Sequence, residues 1–379
     1  MITRFIPILI YTVINVLFID KYSARIVEWH NAISCIYTLL SIAALFALPL
    51  IVQKLKRPLI WLIGLGTGFL VAASILQYLI DPMTIQVDRW SAIHNFLEGM
   101  LSGTYPYGQQ THLGGYGSPF PVWQILHLPF YAIGNVGASI ILAIGLYIYT
   151  CYKTRGTQVA LWVTILLIAS PACWYEVAVR SDLLTNMLIV AVIIEWLVYH
   201  RIRLAEHTLA IGILVGLLLS TRLVAAIPLA VLYGYAFIKM DWKKQCAMLL
   251  TTGVTFALTW IPFLFWKGST LLFFEYNPFV LQTRQGSVTS LLIFACIAIY
   301  CTIRMRGKED FRPLLTGGLL TSLVVIAFID RMYSDNLWTE LYSSTFDITY
   351  LTMGLPFYLK AIALQPSSRP QTPVETICE

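Results

Sequence analysis

The side chains best placed for chemistry lie in one polar segment, residues 81–119, between two long apolar stretches. Asp88 stands near the start of this segment, a few residues beyond the preceding apolar stretch. Its carboxylate could act as a general base that removes a proton from an attacking hydroxyl, or it could cap the helix that follows. His112 could assist, although an ordinary surface histidine fits the sequence as well. The spacing alone leaves both interpretations open.

Arginine is well suited to holding a phosphate group, because its planar guanidinium can form two parallel hydrogen bonds with it. Arg222 interrupts an apolar stretch at residues 208–238, where an ionisable side chain indicates either function or a snorkelling residue that marks a turn. Arg284 is a second candidate for phosphate binding, or an ordinary boundary arginine. It ends an aromatic segment that contains Glu275, which could contact a substrate hydroxyl or remain solvated.

Two more charged residues flank a short turn, where Arg180 and Asp182 lie on either side of Ser181. The two opposite charges could contact a substrate, or they could form a salt bridge with each other. Both alternatives fit a turn at the end of an apolar hairpin.

No sequence motif points to a cofactor. The seven cysteines include no C-x-x-C pair, and the six histidines include no H-E-x-x-H or other paired ligand spacing. The chain also has no P-loop and no G-x-S-x-G motif. We therefore expect no cofactor, and a divalent metal is not indicated. The net charge of +6 is spread over many loops, so we expect no nucleic-acid partner.

The elements that must position these residues are membrane helices. Apolar residues make up 58% of the 379-residue chain and charged residues only 12%, whereas soluble domains hold about 25% charged residues. These proportions exclude a soluble enzyme, a disordered protein and a small disulfide-stapled domain. The predicted fold class is an all-α polytopic membrane protein with about twelve spans. The apolar stretches cover residues 5–19, 32–52, 58–80, 120–152, 157–175, 183–199, 208–221, 223–238, 245–266, 287–303, 313–329 and 348–364.

The distribution of basic residues predicts which side of the membrane each loop occupies. Most of the 25 Lys and Arg residues lie in alternate short connections, which the positive-inside rule assigns to the cytoplasm together with both termini. The outer connections are longer, and the largest is 81–119. We predict two N-terminal membrane helices in residues 1–57, a membrane domain in 58–364 that contains this loop, and a disordered cytoplasmic tail in 365–379.

Within the outer loop, we predict an amphipathic helix that lies along the membrane surface. Trp90, Ile93 and Leu97 recur at helical spacing, and Gly103 supplies a stop. A Tyr-Pro-Tyr turn at 105–107 follows. A segment rich in glycine, tyrosine and proline then leads back into the membrane.

This order of features resembles the polyprenyl-phosphate-sugar-dependent membrane glycosyltransferases of the GT-C superfamily, especially their bacterial mannosyltransferase-like branch. In that family the first large outer loop carries an Asp or Glu that acts as catalytic base, and Asp88 is the matching position. The turn at 105–107 matches the family's turn after the loop helix. Residues 170–182 and 216–228 resemble its second outer acidic position and its broken hairpin, so the resemblance covers about residues 58–228.

The resemblance implies an inverting transfer of a hexose, with mannose as the candidate, from a polyprenyl-phosphate carrier to a glycan, lipid or protein acceptor. Asp88 would take the proton of the acceptor hydroxyl. The enzyme would lie in the lipid bilayer of a bacterial inner membrane, with its active site on the periplasmic face. In this chain three predicted spans precede the loop, where the family usually has one. The residues that would bind donor or acceptor are Arg89, Tyr105, Tyr107, His112, Arg180, Asp182, Arg222, Glu275 and Arg284.

A multi-pass transporter, flippase or polysaccharide polymerase of the cell envelope has the same composition and is the alternative. A transporter favours charges at mid-membrane and paired broken helices that arise from internal repeats. This chain concentrates its outer charges near the membrane boundary in one loop, and it has no repeat of fixed period. The transferase is therefore the preferred interpretation.

Overall fold

A computed structural model describes residues 2–25, 27–271, 277–283, 286–304, 309–335 and 347–364 of the chain. These residues are mainly helical and contain no β-strand, only one isolated antiparallel bridge between Gln110 and Tyr116. The α-helices are α1 (Ile2–Ser23), α2 (His30–Lys54), α3 (Pro58–Leu79), α4 (Arg89–Ser102), α5 (Pro121–Leu126), α6 (Leu128–Ala132), α7 (Ala138–Arg155), α8 (Thr157–Ile168), α9 (Pro171–Ala178), α10 (Asp182–Tyr199), α11 (Thr208–Leu219), α12 (Ala226–Lys239), α13 (Trp242–Leu264), α14 (Pro278–Thr283), α15 (Val288–Arg304), α16 (Arg312–Asp335) and α17 (Leu355–Ala363).

Several of these helices are long and apolar enough to cross a membrane. Within the described ranges five qualify, on α1, α3, α10, α13 and α16, and the bent pair α8 and α9 makes a sixth if it is counted as one span. Shorter apolar helices coincide with four further predicted stretches, on α2, α11, α12 and α15. The predicted all-helical class is confirmed for the described residues, and the five or six candidate spans indicate an integral membrane protein, whereas the predicted count of about twelve spans is not confirmed.

The predicted stretch at 120–152 is too long for one straight span, and the structure breaks it into α5, α6 and α7. Pro121 and Pro129 each stand in the first turn of a short helix, where the missing proline N–H costs no hydrogen bond. Gly134 then adopts a left-handed conformation with φ of +80°, which a residue with a side chain rarely takes. These three residues turn the chain before the long helix α7 begins.

The bend between α8 and α9 measures 69°, and buried polar groups hold it in place. Ser170 caps α9 by accepting a hydrogen bond from the backbone N–H of Cys173. The side chain of Asn15 on α1 accepts from the Ser170 hydroxyl at 2.6 Å and from the Ala172 N–H at 3.1 Å. This bend places the end of α9 beside the start of α10, where the charged residues of the candidate site meet.

The core is formed mainly by α1, α7, α8 and α10, whose facing side chains are almost fully buried. Helices α3 and α13 differ, because only 22% and 17% of their apolar windows are buried inside the protein. Their remaining apolar side chains need a nonpolar surrounding, which the lipid bilayer supplies. The position of these exposed faces is consistent with spanning helices at the edge of the bundle.

Helix α4 is amphipathic as predicted, but protein rather than membrane covers its apolar face. Ile93 and Leu97 are buried, and Phe96 packs edge-on against Tyr107 with ring centroids 4.8 Å apart. Phe263 of α13 contacts the same ring of Phe96. The predicted placement along the lipid surface is therefore wrong for this face, because aromatic residues of the turn and of α13 bury it.

Candidate functional site

A cavity of about 540 Å³ lies at the end of the bundle where α10 begins, and we call it the outer cavity. Its wall combines charged and polar side chains with a wide apolar surface. The apolar part comes from α12, α15 and α16 and includes Ile227, Phe294 and Phe328. The polar part consists of Ser118, Arg222, Gln282, Thr283, Arg331, Asp347 and Tyr350.

Arg222 enters this wall from the turn that follows α11. Its Nε and Nη2 donate to Oδ2 of Asp182 at 3.1 and 2.5 Å, and the indole N–H of Trp123 donates to the same oxygen at 3.0 Å. Arg222 is 6% exposed and Asp182 is 2% exposed. Arg222 is therefore not a snorkelling residue: it forms a buried ion pair whose outer side borders the cavity.

A second ion pair joins the outer loop to the cavity wall. Nη2 of Arg89, the first residue of α4, binds Oδ2 of Asp347, and its Nη1 donates to the hydroxyl of Ser181 at 3.1 Å. The other carboxylate oxygen of Asp347 accepts from the N–H of Thr349 at 2.9 Å and from its hydroxyl at 2.5 Å. The Arg89 guanidinium also lies over the ring of Tyr350, 5.3 Å from its centre.

The pKa of Asp347 shows the net effect of this surrounding. Burial works to raise the pKa of the carboxyl group, but the charge of Arg89 and the two donors of Thr349 outweigh it. The pKa of Asp347 is therefore below its ordinary value, and the group remains a carboxylate at neutral pH. An ionised carboxylate that already accepts three hydrogen bonds is better suited to orienting Arg89 than to taking a proton.

The sequence analysis did not identify Asp347 or Glu176, which both belong to this charged group. Glu176 of α9 is completely buried and its carboxylate accepts from the N–H of Leu184 at 3.4 Å. Asp347 could have been found, because it is the acidic residue directly before the last predicted span on the outer side. Glu176 lies directly after the predicted span at 157–175, where an ordinary boundary acid is expected, and only the bend between α8 and α9 brings it to the cluster.

Asp88 occupies the N-cap position of α4, but its side chain does not cap the helix. Its Oδ2 accepts a hydrogen bond from the hydroxyl of Thr111, 2.8 Å away across the outer loop. Gly115 lies so close that a Cβ atom there would be 2.7 Å from the same oxygen. Asp88 is half-buried, and it does not line the outer cavity itself. The next residue, Arg89, binds Asp347, and Asp347 lines the cavity.

Tyr107 and His112 hold the outer loop together. Tyr107 is buried against Trp260, and its hydroxyl donates to the carbonyl of Pro119 at 3.3 Å. The imidazole of His112 makes hydrogen bonds with the hydroxyl of Ser91 at 2.7 Å and with a backbone carbonyl. Neither side chain borders the outer cavity. Their contacts give both residues a structural place in the loop.

Tyr105 packs at the edge of the same aromatic group, with its ring centroid 6.4 Å from that of Tyr107. Partial burial raises the pKa of its phenol above the ordinary value. The phenol of Tyr105 therefore remains protonated at neutral pH, where it could donate a hydrogen bond to a substrate.

Arg180 does not pair with Asp182, which instead binds Arg222 as described above. The Nη2 of Arg180 donates to the carbonyls of Gln77 and Ile80 at 2.6 and 3.1 Å, and these carbonyls end α3. A basic side chain is favourable there because the last carbonyls of a helix have no partner within it. Of the two alternatives for this turn, the salt bridge between Arg180 and Asp182 is therefore absent, because Arg180 contacts the end of α3 and Asp182 pairs with Arg222.

Two predicted binding residues, Glu275 and Arg284, lie outside the described residues, and so does the predicted tail at 365–379. The segment between these two residues contains α14, and Gln282 of that helix is in the wall of the outer cavity. Its amide donates to the carbonyl of Ser118 at 2.7 Å and its side-chain oxygen accepts from the N–H of Leu223. Gln282 thus links the outer loop to the turn that carries Arg222.

A second cavity, of about 530 Å³, lies at the opposite end of α10, and we call it the inner cavity. Six charged side chains are in its wall, on the side that the positive-inside rule assigns to the cytoplasm. They are Arg155, Glu195, Arg201, Asp310, Arg312 and Lys360.

Comparison with known proteins does not assign this chain to a family. No family model, no curated protein and no solved structure matches it. Among the described residues, no group of three His, Cys, Asp or Glu side chains could hold a metal ion. The two charged cavities are therefore the features from which function can be inferred.

Proposed function

We propose that this protein is a membrane glycosyltransferase that moves a hexose from a polyprenyl-phosphate carrier to an acceptor at the outer cavity. One observation carries the proposal: the wall of the cavity combines guanidinium groups with a broad apolar surface. A polyprenyl-phosphate sugar has the same two-part character, with an anionic phosphate attached to a long hydrocarbon chain. Arg222 and Arg331 would face the phosphate, and the apolar side chains of α12, α15 and α16 would accept the first isoprene units.

Two carboxylates near the cavity are candidates for the catalytic base. Asp347 lines the wall, but Arg89 and Thr349 already occupy both of its oxygens. Asp88 is half-exposed and accepts one hydrogen bond, from Thr111, among the contacts described. We therefore retain Asp88 as the base that takes the proton from the acceptor hydroxyl, and we assign Asp347 the role of positioning Arg89.

The reaction moves a proton to the base and leaves negative charge on the carrier phosphate. The acceptor oxygen attacks the anomeric carbon while Asp88 removes its proton, and the bond from that carbon to the carrier phosphate breaks with inversion. The carrier phosphate gains negative charge as it leaves. Arg222 is held rigidly by Asp182, so it would stabilise that charge without first having to be ordered.

The proposal includes a topology. The four shorter apolar helices and the bent pair would cross the membrane together with the five long helices, which approaches the predicted twelve spans. The most basic connections would then face the cytoplasm together with both termini. The outer cavity would open at the periplasmic face of a bacterial inner membrane.

The experiment that tests the function is a transfer assay with purified protein in lipid nanodiscs. Polyprenyl-phosphate-linked hexoses and nucleotide-linked hexoses are offered separately, with glycan, lipid and peptide acceptors. We expect transfer from a lipid-linked donor only. Transfer from a nucleotide sugar in the absence of any lipid carrier would refute the proposal.

A second candidate function is a flippase or transporter, and one observation favours it. Neighbouring residues line the two cavities: on α12, Ile227 lines the outer cavity and Pro228 the inner one, and on the last segment Met353 lines the outer cavity and Pro356 the inner one. A shift of a few residues would join the two cavities into a path across the bilayer. Movement of a labelled lipid-linked sugar between leaflets of sealed proteoliposomes, without transfer to an acceptor, would support this candidate over the transferase.

A further inference from the structure

The inner cavity lies at the opposite end of α10 from the proposed transfer site. Helix α10 borders the outer cavity with Leu183 and the inner cavity with residues from Ala191 to Tyr199. An α-helix rises 1.5 Å per residue, so the inner cavity begins about 12 Å along α10 from Leu183 and extends to the far end of the helix. The inner cavity therefore opens at the other membrane face.

The inner cavity has an excess of positive charge. Among its described lining residues, Arg155, Arg201, Arg312 and Lys360 are basic, whereas Glu195 and Asp310 are acidic. Basic side chains thus outnumber acidic ones in this wall, which favours an anionic ligand.

A buried ion-pair group forms the floor of this cavity. Glu195 is 2% exposed, and its carboxylate binds Nζ of Lys360 and accepts from Nε of Arg155 at 3.1 Å. The hydroxyl of Thr154 donates to the same oxygen at 3.3 Å. Two basic side chains thus share one carboxylate in a buried place, where screening by water is weak.

The remaining cations lie around this floor. Arg201 follows α10 and is exposed, and Arg312 is half-buried at the first position of α16. The N-terminal end of a helix carries a partial positive charge, which adds to that of the side chains. The other walls are apolar and include Val231, Phe357 and Leu364. The geometry is that of a basic pocket with a hydrocarbon border.

We propose that the inner cavity binds a phosphate group from the cytoplasmic side, carried by an anionic lipid or by a free phosphate ion. Guanidinium and ammonium groups are the side chains that bind phosphate, and basic pockets between membrane helices are suited to anionic lipid head groups. The inference does not depend on the proposed transferase activity, because it concerns a different cavity and different residues. Binding at this site holds α7, α10, α16 and α17 together.

The test compares ligand binding to purified full-length protein and to matched variants. Inorganic phosphate is titrated into protein in uncharged detergent, and lipid binding is measured in nanodiscs of phosphatidylcholine with or without phosphatidic acid. Arg201→Gln removes a cavity cation at an exposed position, and Arg203→Gln is the control, because Arg203 pairs with Glu206 outside the cavity. Arg312→Gln is a second cavity variant.

We expect phosphatidic acid, inorganic phosphate or both to bind the wild-type protein, with an affinity that falls as salt is added. Arg201→Gln should weaken binding about tenfold, as expected for the loss of one charge-assisted hydrogen bond, and Arg203→Gln should leave it unchanged. Binding of phosphatidic acid but not of phosphate would identify a lipid site, and binding of both would identify a general phosphate site. Binding of neither probe, or equal loss in Arg201→Gln and Arg203→Gln, would overturn the proposal. Sugar transfer is measured separately, so its failure cannot be confused with this result.

Discussion

At the scale of single residues, the two roles of Asp88 can be separated by one substitution. Asp88→Asn keeps the size of the side chain and an oxygen that can accept from Thr111, but it cannot take a proton. We expect transfer from the lipid-linked donor to fall by about a hundredfold or more, with an unchanged melting temperature. The matched control is Glu98→Gln, which removes an exposed carboxylate from the same helix. Full transfer activity in Asp88→Asn would end the assignment of the base.

Arg222 is predicted to serve the donor phosphate, and its buried ion pair adds a stability effect. Arg222→Ala leaves the buried Asp182 carboxylate without its cation, which costs about 3–5 kcal/mol in comparable cases. Arg222→Lys keeps the charge but loses the planar guanidinium. Donor affinity should therefore fall in the Lys variant and fall further in the Ala variant.

The control for Arg222 separates binding from folding. In the double variant Asp182→Asn with Arg222→Gln, the two side chains are neutral and can still hydrogen bond, so stability should recover partly while donor affinity stays low. Melting temperature and donor affinity are measured on the same samples. Wild-type donor affinity in Arg222→Ala would remove this residue from the donor site.

At the scale of elements, the outer loop must pack closely around Asp88. Gly115→Ala would place a Cβ atom 2.7 Å from Oδ2 of Asp88, so the carboxylate or the loop must shift. Gly117→Ala is the matched control, since its Cβ would meet its nearest neighbour at an ordinary 3.5 Å. We expect Gly115→Ala to lose most transfer activity and Gly117→Ala to keep it. Equal activities would show that the position of Asp88 within the loop does not matter.

The ion pair between Arg89 and Asp347 attaches α4 to the last membrane segment, and its contribution depends on pH. The pKa of Asp347 is lowered in the folded protein, so its stabilisation is present above the ordinary carboxyl pKa. That stabilisation is lost as the pH falls through the lowered pKa. Asp347→Asn should therefore melt at a lower temperature than wild type at pH 7, and the difference should shrink below about pH 4.

The control for this pH dependence is Glu206→Gln, which breaks an exposed pair with Arg203. Exposed pairs contribute little to stability, so this variant should melt like wild type at every pH. A constant difference between Asp347→Asn and wild type from pH 7 to pH 3 would contradict the ion-pair explanation. It would indicate that Asp347 stabilises the fold through its hydrogen bonds to Thr349 alone.

The secondary structure was predicted from the sequence more completely than the contacts between elements. The lengths of the apolar stretches and the positions of the charges predict the helices. Pro121, Pro129 and Gly134 predict the break in the fourth apolar stretch. The packing of α4 was predicted wrongly, because its apolar face can be buried by lipid or by protein and its periodicity is the same in both cases. Only the fold brings α13 to this face.

At the scale of the whole molecule, the charged residues of the outer site come from positions far apart in the chain. Arg89 and Asp347 are separated by 258 residues, and Arg222 binds Asp182 across 40. The sequence indicates that Arg222 and Asp182 are candidate functional residues, but residue spacing does not predict which charged side chains form ion pairs with each other. The inner cavity was not predicted for the same reason, because its basic residues come from four separate segments: three resemble ordinary cytoplasmic connections, and Lys360 lies near the end of the last predicted span.

The central claim, that the outer cavity holds a lipid-phosphate donor, is tested most directly by photo-cross-linking. A polyprenyl-phosphate sugar with a photoreactive group in its first isoprene units is irradiated with purified protein in nanodiscs, and labelled peptides are identified by mass spectrometry. We predict labels in residues 222–227, 323–331 and 347–353, which line the cavity, and their loss when unlabelled donor is added. Labels confined to the lipid-facing sides of α3 and α13, or to the inner cavity, would contradict the account.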